Sequence, residues 1–269
     1  MKTFGVHGAS PAMDKKVSDF WQGISRAERR VLILDYDGTL APFSMDRECA
    51  APYARLLPLL QHLKQATGTR LVIVTGRPAL SAARLLHLQD VEIWGCHGLE
   101  RLQADGSLNK PEVAAESLQA IADVTELLLN DGLGQFAERK FASIAVHWRG
   151  SEELAGQLTR RILHAWSMVQ RRKGMRLMPF DGGIEITAGA RNRGDAVQAV
   201  LSESGPAAAV AYLGGETPDE DAFGALHGRG LNVLVREEYR RTIADIWIRP
   251  PNEVAAFLKA WASACEEQG

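Results

Sequence analysis

Cysteine is scarce in this chain of 269 residues: Cys49, Cys96 and Cys265 are odd in number and far apart. Such a set supplies neither a disulfide framework nor a zinc site, and a reducing compartment fits it best. An excess of positive charge is lacking as well, since 31 Lys and Arg stand against 33 Asp and Glu for a formal net charge of -2. Nucleic-acid backbones are met by clustered Lys and Arg in large excess, so no nucleic-acid partner is expected. The opening stretch Met1–Gln22 mixes Lys, Asp, His and Ser with apolar residues and holds no continuous apolar run. Neither a signal peptide nor a membrane span is expected, and the chain reads as cytoplasmic and soluble. Low-complexity tracts, fixed-period repeats and flexible Gly/Ser linkers are also missing, which leaves short hinges between any domains. What is present is 46% hydrophobic and 24% charged, a balance that allows at least one sizeable core.

Apolar runs of strand length set the frame. Val31-Leu32-Ile33-Leu34 ends in the polar turn Asp35-Tyr36-Asp37-Gly38-Thr39, and Arg70-Leu71-Val72-Ile73-Val74 ends in Thr75-Gly76-Arg77-Pro78. Between them Leu56, Leu59, Leu60 and Leu63, at three- and four-residue spacing, predict a helix over Pro52–Gln65. Strand, helix, strand implies a parallel unit, and Pro78 suits the first turn of a following helix. Val91–Trp94 reads as a third strand that closes in Gly95-Cys96-His97-Gly98. From about Gln103 to Pro179 the pattern changes to a helix near Pro111–Leu129, an alternating strand Ala142–Trp148 and a second helix over Ser151–Arg172. Core signals resume with a helix after Gly194 and the strands Ala207–Leu213 and Leu231–Val235. The expected organisation is a lead-in over residues 1–29, a discontinuous core over 30–103 and 183–269, and an inserted domain over 104–182.

Ligands of an open parallel α/β sheet gather where the strands' carboxyl ends meet, and each of these polar turns falls at such an end. Asp35 and Asp37 lie two residues apart after a buried strand and before a glycine, so one carboxylate can attack while the other handles protons. An aspartate is a competent phosphoryl acceptor because its acyl phosphate is cleaved by water. A dianionic phosphate approaches an anionic nucleophile only when cations neutralise both, which calls for magnesium and a basic side chain. Taken alone, an Asp-x-Asp-Gly turn also reads as a capped loop.

The segment Asp35-Tyr36-Asp37-Gly38-Thr39 resembles the first motif of the haloacid-dehalogenase superfamily, Asp-x-Asp-Gly-Thr after a strand. That resemblance implies a Rossmann-like parallel-sheet core with an inserted α/β cap of the C2 type. It makes Asp35 the nucleophile and a metal ligand, and Asp37 the acid and then base, its carbonyl a further ligand; Thr75 binds phosphoryl oxygen. Asn192-Arg193-Gly194-Asp195 resembles the third motif with Arg193 in place of lysine. Gly214-Gly215-Glu216-Thr217-Pro218-Asp219-Glu220-Asp221-Ala222-Phe223 resembles the fourth, Gly-Asp-Asp-x-Thr-Asp-Glu-Asp-Ala-Phe, with Gly215 where the first acidic residue belongs. Glu216 and Asp219 are the metal ligands this leaves, while Glu220 and Asp221 read equally as acidic residues favoured at a helix start.

Within the inserted segment, Glu138-Arg139-Lys140 followed by Val146-His147-Trp148-Arg149 resembles the cap of trehalose-6-phosphate phosphatases, and Gly95–Glu100 and Gly183-Ile184-Glu185 agree with it. The resemblance covers nearly the whole chain after Arg30. It implies hydrolysis of trehalose 6-phosphate through an aspartyl-phosphate intermediate, with Mg2+ held by Asp35, Asp37, Glu216 and Asp219. Asp35, Asp37, Thr75 and Arg193 are then the catalytic set, and Arg77, His97, Gly98, Glu138, Lys140, Arg149 and Glu185 are the candidate substrate contacts. From residue type alone, Glu138 and Lys140 read as a solvated strand face and His97 either orients substrate or satisfies a loop. The implied partners are a small-molecule sugar phosphate and a cognate trehalose-6-phosphate synthase. Two rival functions stay open: a phosphatase for another sugar phosphate, and a catalytically weakened sugar-phosphate sensor.

Overall fold

The computed structural model describes residues 11–44, 46–189 and 191–266. Its contacts divide the chain into two units: Met1–Asn109, Asn192–Gly215 and Asp219–Gly269 form one, and Lys110–Arg191 with Glu216–Pro218 form the other.

The first unit is built on eight strands. Five precede the insertion: β1 (Arg30–Leu34), β2 (Arg70–Val74), β3 (Glu92–Gly95), β4 (Glu100–Leu102) and β5 (Leu108–Asn109). Within the inserted unit lie β6 (Ala137–Arg139), β7 (Ser143–His147), β8 (Met175–Phe180) and β9 (Gly183–Ala188). The remaining three, β10 (Ala209–Gly214), β11 (Leu231–Val235) and β12 (Ile246–Ile248), return to the first unit. Its sheet runs β12-β11-β10-β1-β2-β3-β4-β5. β12 to β3 are parallel, and β4 and β5 turn antiparallel at the edge.

After an opening arginine β1 and β2 are unbroken aliphatic runs, and β11 is broken only by Asn232, because both faces of this sheet are covered. Leu32 and Leu34 point into a cluster with Leu60, Leu63, Phe257 and Trp261. Val31 and Ile33 point the other way, into one with Val197, Val200 and Phe223. The helices concerned are α2 (Leu57–Ala66), α3 (Ala79–Leu86) and α8 (Asn252–Glu266) on the first face, and α6 (Arg193–Ser204) and α7 (Asp219–Leu226) on the second. Leu34 lies level with Leu213 of β10 and with Ile73 of β2. The residues just beyond these positions therefore share one edge of the sheet, which is what brings the polar turns together.

Several expectations need correction. Residues 11–26 of the expected lead-in form a helix, α1 (Pro11–Arg26), while residues 1–10 lie outside the described part. α1 packs on α8 through aromatic rings, Trp21 against Phe257 at 5.1 Å and Phe20 against Trp261 at 6.1 Å, with Ile24 fully buried. α2 starts at Leu57 rather than Pro52, with Pro58 in its first turn, where a missing N–H costs nothing. The core does not resume at residue 183, because Gly183–Ala188 pairs with both β7 and β8 and so belongs to the insertion. That insertion runs from Lys110 to Arg191.

The second unit is an antiparallel sheet, β6-β7-β9-β8, contacted by α4 (Ala115–Asn130) and α5 (Ala155–Val169). Alternation along β7 sets Ile144 and Val146 on one face and Ser143, Ala145 and His147 on the other. The helices bring buried Ile121, Val124 and Leu128, and Leu158, Ile162 and Ala165, to the aliphatic face. Among the described residues no helix is long and apolar enough to cross a membrane.

Candidate active site

Asp35 is the first residue beyond β1. It is fully buried, and its N–H donates to the Leu213 carbonyl at 2.8 Å, which extends the β1–β10 ladder by one step. The chain then folds back: the N–H groups of Leu40 and Ala41 both donate to the Tyr36 carbonyl, at 2.9 and 3.0 Å, and Gly38 takes a φ of 78°. Tyr36 donates its hydroxyl to the Ala50 carbonyl at 2.8 Å, and burial raises its phenol above the ordinary value. Asp37 is held by Arg77, whose Nε and Nη2 each donate to a different carboxylate oxygen at 2.7 Å. Both oxygens of Asp37 are thus engaged by one guanidinium.

The turns after β2 and β3 interlock. Thr75 donates its N–H to the Trp94 carbonyl at 2.9 Å and accepts at its own carbonyl from His97 N–H at 2.9 Å. Cys96 and His97 take left-handed φ values of 48° and 57°, a strained choice for residues with a Cβ that folds the loop back onto the end of β2. Gly98 follows with a φ of 94°, and a Cβ there would lie 2.5 Å from the Asn192 carbonyl. Its role is to let the start of α6 approach. There Asn192 caps the helix through a reciprocal box with Asp195, and Arg193 is the first helical residue.

Arg193 is the hub. Only 1% exposed, it places Nη1 2.9 Å from Asp35 and 2.5 Å from Asp219, and its Nε donates to His97 Nδ1 at 3.3 Å. An accepting Nδ1 puts the ring proton of His97 on Nε2. Tyr212 donates its hydroxyl to the same Asp219 oxygen at 2.6 Å. Burial holds that phenol well above its ordinary value, and the Asp219 charge adds to the effect, so it remains a donor. A pair of like charges 4 Å apart repels by about 4 kcal/mol at the effective dielectric of such sites, and a guanidinium between them removes that cost. Asp35, Asp37, Thr75, Arg77, His97, Arg193 and Asp219 therefore sit in one hydrogen-bonded and packed arrangement within the first unit.

The residues do not fit a divalent cation as arranged. Among the described residues no group of three or more His, Cys, Asp or Glu is placed to hold a metal ion. Asp219 is committed to Arg193 and Tyr212, and the carboxylate of Asp37, though not the carbonyl expected as its metal ligand, is committed to Arg77. Glu216 groups with the second unit, its carboxylate 3.9 Å from Arg149. At Gly215 no carboxylate is accommodated, since a Cβ would lie 2.1 Å from the Val235 carbonyl. The Gly215 carbonyl instead accepts from Arg236 at 3.2 Å and Arg240 at 3.1 Å. Of the expected magnesium set, Asp35 and Asp219 meet at Arg193 Nη1, whereas Glu216 groups with the second unit. Sequence reasoning missed Tyr212, Arg236 and Arg240; the signal was the run of arginines just past the carboxyl end of β11.

The second unit carries its own polar cluster. Lys140 donates to Glu185 at 2.7 Å, both buried, and lies 3.8 Å from Glu138, which His147 meets at 3.2 Å. Glu138 and Glu185 both lie opposite Ala145 of β7, one across each edge, so the three share one face. Lys140 and Glu138 are therefore partners in a network, not the isolated surface charges their residue types suggested. Arg149 donates to the Asp181 carbonyl in the turn before β9.

Comparison with known proteins agrees with this layout. The family model for trehalose-phosphatases matches residues 33–243. A trehalose-phosphate phosphatase of Mycobacterium marinum is 27% identical over 255 residues, covering 90% of this chain and 63% of that protein. A bifunctional trehalose-6-phosphate synthase/phosphatase of Thermoproteus tenax is 29% identical over 216 residues, covering 79% of this chain and 29% of its own length. The chain thus spans less than two thirds of these relatives. In fold, it superposes on the C-terminal domain of the trehalose-6-phosphate phosphatase of C. albicans with a TM-score of 0.79 at 18% identity, over 97% of this chain and 99% of that one.

Proposed function

The chain belongs to the trehalose-phosphatase family, and from that premise we propose that it hydrolyses trehalose 6-phosphate to trehalose and phosphate. The observation that carries this reading is the Asp35 carboxyl at the tip of β1, with the Arg193 guanidinium 2.9 Å away. In the first step an Asp35 oxygen bonds to phosphorus as the bond from phosphorus to the sugar oxygen breaks. Asp37, once released from Arg77, supplies the proton to that leaving oxygen. Water then attacks the acyl phosphate, giving up a proton to Asp37, and Asp35 is regenerated. Thr75 and Arg193 orient and neutralise the phosphoryl oxygens. Glu138, Lys140 and Glu185 have the donors and acceptors that the hydroxyls of a disaccharide call for; Arg149, His97 and Gly98 are supporting positions, His97 acting through Arg193 and Gly98 through the start of α6. This family generally uses a divalent metal, but the side chains gathered here do not fit one as arranged. A cytoplasmic setting and a trehalose-6-phosphate synthase as partner belong to the same proposal; the synthase link is supported by the printed name of the Thermoproteus tenax relative.

A second reading, a sugar-phosphate binder without turnover, is favoured by one observation, the glycine at position 215. Phosphate release from trehalose 6-phosphate by the purified chain decides between the two. Turnover that disappears in Asp35→Asn supports the phosphatase. Saturable binding with no release supports the binder. Equal rates on unrelated sugar phosphates sink the trehalose assignment.

A further inference from the structure

Four acidic groups that the first unit gathers beyond β1 and β10, namely Asp35, Asp37, Asp219 and Glu220, each have a guanidinium at hand. Arg77 forks onto Asp37. Arg193 bridges Asp35 and Asp219. Arg240 pairs with Glu220, and together with Arg236 it also donates to the Gly215 carbonyl. Asp35, Asp37, Asp219 and Glu220 are thus met by Arg77, Arg193 and Arg240. A dication would have to compete with guanidinium groups already seated on these carboxylates. To bind between Asp35 and Asp219 it would have to expel a guanidinium that is only 1% exposed.

Arginine is suited to this place where lysine is not. Its planar fork can span two carboxylates and donate elsewhere in the same plane, as Nε does here to His97, whereas an ammonium is a point charge. Gly215 closes the other route to a metal. The overlap of any Cβ with the Val235 carbonyl keeps an acidic side chain from being restored at that position.

We propose that Arg193 takes the place of the divalent cation in this chain, so that the phosphoryl group of the sugar phosphate binds without a metal. The inference rests on the reading of the site as one for a phosphorylated sugar, and it adds the claim that binding is independent of magnesium.

The test is isothermal titration of the full chain with trehalose 6-phosphate and with inorganic phosphate, each in EDTA and in magnesium, and with magnesium alone. The expected result is a Kd for the sugar phosphate that differs by less than about threefold between the two buffers, and no saturable heat from magnesium alone. Tightening by magnesium beyond that, or a saturable magnesium signal that Asp35→Asn removes, overturns the inference and leaves the substrate reading standing. Sugar phosphate binding in neither buffer refutes the substrate reading and the inference with it. Arg193→Lys, with its circular dichroism unchanged, is expected to weaken binding in EDTA by about tenfold or more. Native affinity in that variant also overturns the inference, and if the variant does not fold the titrations of the native chain decide alone.

Discussion

Restoring the acidic residue that the fourth motif lacks is the obvious way to give this site a metal ligand, and the structure predicts that Gly215→Asp damages the fold instead. An ideal Cβ on Gly215 lies 2.1 Å from the Val235 carbonyl oxygen and 3.2 Å from Cγ of Arg236. Real Cβ atoms do not come within 3.0 Å of such an oxygen, so β10 and the end of β11 must separate by about an ångström. The same shift disturbs the bonds from Arg236 and Arg240 to the Gly215 carbonyl. Overpacking of this kind costs typically 1–3 kcal/mol, and we take the upper end, about 3 kcal/mol, because the obstacle is backbone and not a flexible side chain. For a chain of this size that corresponds to a fall in Tm of roughly 6–12 °C. Gly215→Ala carries the same Cβ without the charge, so most of the loss should already appear there. Differential scanning fluorimetry and urea unfolding measure both variants, the urea midpoint falling with little change in slope. A Gly215→Asp variant with native Tm that gains saturable magnesium binding refutes the reasoning.

Arg77→Ala strips both donors from the Asp37 carboxylate and should cost roughly 3 kcal/mol in urea unfolding; Arg77→Lys, unable to make the fork, should rescue little of it, and a native-like lysine variant would count against the geometry. In the second unit, Lys140→Met leaves the Glu185 charge buried and should lower stability by roughly 3–5 kcal/mol, whereas Lys140→Met with Glu185→Leu should cost much less than the two singles added, as read from a double-mutant cycle. Glu203 is held below the ordinary carboxylate range, first by hydrogen bonds from Arg101 and further by Arg70, against the opposing effect of burial. A depressed folded value contributes stability that is present above the unfolded value of about 4.3 and lost as pH falls through the folded one, so Glu203→Gln should flatten the acid limb of the urea midpoint below that pH; unchanged limbs refute it.

The parallel core was legible because burial on both faces forces unbroken aliphatic runs, and Val31–Leu34 and Arg70–Val74 are the runs that became β1 and β2. The polar turns were legible because they interrupt those runs abruptly. Short edge elements such as β4 and β12 were not, since three residues carry no period to read. The boundary of the insertion was set too early because Gly183–Ala188 looks like a core strand in composition, and only its pairing with β7 and β8 reveals its place. At the site, residue types pointed to Asp35, Asp37, Thr75 and Arg193, yet the partners that give each its state lie far along the chain. Arg193 meets His97 across 96 positions, and nothing local to either residue announces it. Gly215 showed the same limit from the other side: sequence marked a missing acid, while the Val235 carbonyl that makes its return costly belongs to the neighbouring strand.

The seam between α1 and α8 has a practical corollary for handling the protein. A carrier attached ahead of residue 11 leaves the rings of Phe20 and Trp21 seated, whereas trimming the chain through Arg26 bares Phe257 and Trp261 along one side of the last helix. A shortened version of that kind keeps every residue of the candidate site in the first unit and is nonetheless expected to cling to itself in a lysate, so poor yield from it says nothing about the chemistry.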